Sequence, residues 1–110
     1  MAKLEKDLMQ RSFDEWLTFI ETGILSGSAS ATLEDKSDFA DGEARCSVRV
    51  FERYSYEGGN RLSLTVTLFQ ASGGAVHLSA IASGGSRAVF WKVNTWGEEA
   101  FLDKLIELLQ

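Results

Sequence analysis

The stretch Arg61–Ala80, "RLSLTVTLFQASGGAVHLSA", decides the fold class. Leu62, Leu64, Val66 and Leu68 alternate with Ser63, Thr65 and Thr67. Val76, Leu78 and Ala80 alternate with His77 and Ser79. Side chains of a strand point to opposite faces in turn, so each run is a strand with one apolar face. Gly73-Gly74 lies between them. Glycine tolerates the positive φ of a tight turn, so the two strands are read as an antiparallel hairpin.

The same grammar extends in both directions. Ala29, Ala31 and Leu33 alternate with Ser28, Ser30, Thr32 and Glu34. Ala44, Cys46, Val48 and Val50 alternate with Arg45, Ser47, Arg49 and Phe51. "RAVFWKV" (87–93) is rich in strand-forming residues. Further Gly-Gly pairs stand at Gly58-Gly59 and Gly84-Gly85. Strand, Gly-Gly, strand, repeated, predicts a meander.

Two helices flank it. Phe13, Trp16, Leu17, Ile20 and Ile24 share one helical face. Ser12 and Glu15 form a capping box, so this helix begins at about Phe13, and Gly27 suits its end. "KLEKDLM" before it, with Leu4 and Leu8, reads as a short edge strand. Thr95 and Glu98 make a second capping box. It opens a last helix with an apolar stripe of Phe101, Leu102, Leu105, Ile106, Leu108 and Leu109. The expectation is one α+β domain over residues 1–110, ordered β-α-β5-α. An antiparallel meander of five or six strands carries both helices on one face.

At 110 residues, 45% of them hydrophobic, the chain is sized for one core. The formal net charge is −5. Nucleic-acid binders carry a basic surplus, so neither nucleic acid nor an anionic membrane surface is expected as partner. Cys46 is the only cysteine, which leaves no internal disulfide. No secretory leader and no membrane-spanning apolar run is read, so a cytoplasmic setting is expected.

The glycine-rich "SGGSRAVFWKV" invites a phosphate reading. Such a loop follows a strand and opens a helix, whereas Gly84-Gly85 leads into a strand pattern, so a turn is expected. "DKSDFADGE" gathers Asp35, Asp38, Asp41 and Glu43. The three-residue spacing misses the alternate-position template of a calcium loop, so a solvated acidic loop and no metal are expected. His77, the only histidine, lacks a nameable ring partner and nucleophile. Cys46 is placed in the core on the other side of the sheet, as a small buried hydrophobe. No catalytic residue and no cofactor is assigned.

What remains is the outer sheet face. The alternation places Arg45, Arg49, Phe51, Arg53 and His77 there, among small hydroxyl side chains. Interfaces favour arginine and aromatic residues over lysine. The chain is therefore read as a non-enzymatic interaction module whose outer face joins two copies into a homodimer. The alternative is a small-molecule carrier or enzyme with an apolar pocket between sheet and last helix, lined by Trp91, Phe101 and Leu105.

The segments "SASATLEDKSDF", "RVFERYSYEGGNRLSLTVTL" and "TWGEEAFLDKL" resemble those of a family of small uncharacterised bacterial proteins, which implies no activity. The order of elements resembles TATA-binding-protein-like and helix-grip folds. That resemblance implies a curved antiparallel sheet wrapped around the last helix. Relatives with that architecture often hold apolar ligands, but fold alone does not establish function.

Overall fold

The computed structural model describes residues 2–27, 30–55, 60–84, 101–103 and 105–109. Five strands and a helix run in the order β1 (Ala2–Leu8), α1 (Phe13–Gly27), β2 (Thr32–Asp41), β3 (Ala44–Ser55), β4 (Asn60–Gln70) and β5 (Val76–Gly84). Residues 101–103 and 105–109 are helical and form α2. The strands make one sheet in the order β1-β5-β4-β3-β2, and every neighbouring pair is antiparallel. The expected α+β class and the meander are found. The sixth strand expected over 87–93, the turns at Gly58-Gly59 and Gly85, and the Thr95–Glu98 cap lie outside the described residues.

The capping box starts α1 as the spacing requires. Ser12 Oγ accepts from the Glu15 amide at 3.1 Å, and Glu15 Oε1 accepts from the Ser12 amide at 3.0 Å. The helix begins at Phe13, and Phe13, Trp16, Ile20 and Ile24 are buried. They join Phe101, Leu102 and Leu105 of α2 in one apolar cluster. From the sheet come Phe51, Leu62, Leu64, Val66, Leu68, Val76, Leu78, Ala80 and Ala82. This defines the inner face. Gly23 matters to the helices, because a Cβ there would stand 2.5 Å from a methyl of Leu108.

Two expectations about β2 and β3 fail. The acidic run Asp35–Asp41 is strand, not loop, and the strand expected from Ser28 begins at Thr32. Asp41 pairs with Ala44 across the two-residue loop Gly42-Glu43, with Gly42 at φ +61°. A hairpin of this length needs such a glycine. The turn therefore rests on one glycine at its first central position, not on a Gly-Gly pair.

The second failure is parity. Ser47, Arg49 and Phe51 are the buried set of β3, while Cys46, Val48 and Val50 are half-buried. Register settles the face. Arg49 lies opposite Val66 and Phe51 opposite Leu64, both inner residues of β4. Arg45, Arg49, Phe51 and Arg53 therefore belong to the inner, helix-facing side. Cys46 belongs to the outer one.

Candidate functional site

The arginine stripe tethers the helices. Arg49, 5% exposed, pairs through Nε with Glu21 of α1. Its Nη1 donates to Asp38 Oδ1 of β2 at 3.0 Å and to the Val48 carbonyl at 3.0 Å. Asp38 Oδ1 also accepts from Ser47 Oγ at 2.6 Å. The Ser47 hydroxyl and the Arg49 guanidinium hold the Asp38 carboxyl below its ordinary range. Burial pulls the Arg49 pKa down, but the hydrogen bonds of Glu21 and Asp38 outweigh it, and the net shift is upward. Arg45 Nη2 donates to Asp14 Oδ1 at 2.8 Å, and its guanidinium lies 4.4 Å from the centre of the Phe13 ring. Arg53 lies 4.7 Å from the Phe101 ring centre. These cations answer groups of their own chain on the inner side, so the arginines are not part of the outer contact surface on which alternation placed them.

The inverted parity rebuilds the outer face. Reading across β2, β3, β4, β5 and β1, one row is Phe39, Cys46, Phe69, His77, Asp7. The next is Ser37, Val48, Thr67, Ser79, Glu5. A third is Asp35, Val50, Thr65, Ile81, Lys3. On the three central strands these rows hold hydroxyl, aliphatic, thiol, aromatic and imidazole side chains and no carboxylate, lysine or arginine. In these rows the formal charges stand on the edge strands; past them, Glu52 of β3 and Arg61 of β4 pair with each other on the same face. Phe39 and Phe69 are 62% and 43% exposed. Both described helices bury their apolar residues on the other side, so neither covers this plateau.

His77 is on this face, as expected, and the structure supplies the ring partner the sequence did not name. Its Nδ1 lies 2.6 Å from Asp7 Oδ1 of β1. Facing an ionised carboxylate, which only accepts, Nδ1 would be the donor of this contact. The ring stacks on Phe69, with centres 6.2 Å apart and planes 18° from parallel. Cys46 shares the row, contrary to the expectation that it faces the core. Phe69 stands between thiol and imidazole, which belong to strands two spacings, about 9.6 Å, apart. That separation does not make a Cys–His catalytic pair.

Strand alternation also splits the acidic run. Asp35 and Asp41 face outward, whereas Asp38 faces inward to Arg49. Of the residues expected to line a pocket, Phe101 and Leu105 are fully buried in the core cluster, and Trp91 lies outside the described residues. A groove of about 590 Å3 runs along α1, lined by Arg11, Asp14, Glu15, Thr18, Phe19, Thr22 and Gly23. Two smaller hollows of about 170 and 230 Å3 flank Phe69 on the outer face, one beside Phe39 and Cys46, the other beside His77 and Asp7. Among the described residues, no helix is long and apolar enough to cross a membrane.

Compared with known protein families, the chain matches one family model over residues 1–110, that of a family of unknown function, DUF6054. No curated protein and no solved structure matches it.

Proposed function

We propose that this chain, which belongs to the family of unknown function DUF6054, is a non-enzymatic interaction module that docks a protein partner on the outer face of its sheet. One observation carries the reading: the uncharged plateau of Cys46, Val48, Val50, Thr65, Thr67, Phe69, Ser79 and Ile81 lies on a face that neither described helix covers. Antiparallel sheets with a wet face ordinarily alternate apolar inside and polar outside. Here β3 does the reverse, putting its arginines inside and its valines outside. A charge-depleted centre with aromatic residues and a charged rim is the composition of an interface.

Site-specific photocrosslinking in the native cells tests this. A photoreactive phenylalanine analogue replaces Phe39 on the plateau margin or Thr18 on the exposed side of α1. The expected result is a protein adduct of defined mass from position 39 and none from position 18. Adducts only from position 18, or none from either, overturn the reading.

A further inference from the structure

Building on that reading, we infer that the plateau is occupied by a second copy of this chain, related by a two-fold axis that runs along β4. Two arguments select the second copy, one of area and one of charge.

Five strands spaced about 4.8 Å apart, over seven residues at about 3.4 Å, which adds the row Thr32, Glu52, Ser63, Ser83 to the three above, present a footprint on the order of 600 Å2. That approaches the roughly 800 Å2 per partner of a standard-size interface. Two such sheets stacked about 10 Å apart form a sandwich, with their strands within about 30° of each other.

The charges choose the axis. A two-fold along β4 lays β1 over the partner's β2 and β5 over the partner's β3, and it keeps each cross-strand row on its own row. Ile81 then faces the partner's Val50, and Phe69 meets the partner's Phe69. Lys3, in the row of Asp35, faces the partner's Asp35. Glu5 faces the partner's Ser37, and Asp7 faces the partner's Phe39. No formal charge meets its like in these rows, and the one opposed pair, Lys3 with the partner's Asp35, occurs twice. The other in-plane axis, across the strands, sets Glu5 on the partner's Glu5. An isologous contact must be self-complementary, and over these three rows the first arrangement is; beyond them Arg61, on the axis, comes over the partner's Arg61 with Glu52 and Glu34 of its own chain beside it.

Sedimentation equilibrium of the full chain tests this, with Lys3→Asp, Asp35→Lys, the double exchange and Val50→Arg. Lys3 and Asp35 are exposed, and circular dichroism checks that each variant folds. A wild-type dimer is expected below about 100 µM. Each single charge reversal weakens it about tenfold, because two opposed pairs become two repulsive ones. The double exchange restores it to within about threefold. Val50→Arg abolishes it, since an unpaired guanidinium enters the centre of the contact. If the reversals weaken the dimer and the double exchange fails to rescue it, the axis is wrong while the face stands. A wild type that stays monomeric, with position 39 still crosslinking to a protein of another mass, overturns the second copy and leaves the docking face. A dimer indifferent to Val50→Arg overturns both.

Discussion

Arg49 carries the strongest single consequence at the scale of a residue. Its guanidinium is buried between Glu21 of α1 and Asp38 of β2, so one side chain joins three elements. Arg49→Ala removes the cation and leaves two carboxylates facing each other. Breaking a fully buried pair costs about 3–5 kcal/mol. Glu21 is 29% and Asp38 54% exposed at the side chain, so water relieves part of that, and a loss of about 2–3 kcal/mol is expected from urea unfolding. The same network fixes an acid dependence. Asp38 titrates below its ordinary value in the folded chain, chiefly through Ser47 and then Arg49. Its contribution is therefore complete above the unfolded carboxylate pKa of about 3.9 and is lost as the pH falls from there through the lowered folded value. Asp38→Asn is expected to be less stable than wild type at neutral pH and to lose less stability on acidification through that window. Urea midpoints measured from neutral pH downward read the difference. Parallel slopes for the two proteins would remove Asp38 from the account.

Among the elements, β4 and β5 were legible and β2 and β3 were not, and the reasons differ. In β4 four aliphatic residues at alternate positions leave one reading of the core side. In β3 alternation is just as clear, but it marks two faces without naming the inner one. Choosing the face of Val48 and Val50 is right only if the other face has nothing to satisfy its arginines. Asp14 and Glu21 on α1 supply that. They are seven residues apart, about 10.5 Å of helix, against about 13.6 Å between Arg45 and Arg49 along the strand. Phe51 was the signal, the one large apolar residue in the arginine register, and it proves fully buried. In β2, aspartate is a poor strand former, which favours reading a loop. Yet β2 is the sheet edge, where charged residues discourage further pairing. The candidate site inherited the parity error, so His77 alone of the five face residues named from sequence lies on the outer side. The close of the sheet is set elsewhere, at Gly84. A Cβ there would stand 2.9 Å from the Arg61 carbonyl oxygen and 2.9 Å from Leu62 Cα. Backbone cannot step aside as a side chain can. Gly84→Ala should therefore cost about 1–3 kcal/mol by forcing β4 and β5 apart. Hydrogen exchange should show faster amide exchange at Leu62 and Ala82, with α1 protection retained.

For the whole molecule, the inversion of β3 means that the core is sealed by ion pairs on one side of β3 while aliphatic surface is left on the other. A chain of this size keeps much of its surface wet, so covering a second apolar face adds to a margin that is small to begin with. If two copies share the plateau, stability becomes a property of concentration. A partner that binds the folded chain alone adds RT ln(1 + [L]/Kd), about 2.7 kcal/mol at a hundredfold excess over Kd. The melting temperature of the wild type is accordingly expected to climb as protein concentration is raised through the dissociation constant. Val50→Arg should melt at one temperature throughout, because its outward-facing side chain blocks the contact without entering the core. The salt response should be small, since the two Lys3–Asp35 pairs stand at the rim, where exposed ion pairs contribute about 1 kcal/mol or less, and the uncharged centre is not screened. Calorimetry across a concentration series reads both. A wild-type melting temperature that does not move with concentration, at values where the dimer should form, would separate folding from assembly and leave the plateau to another partner.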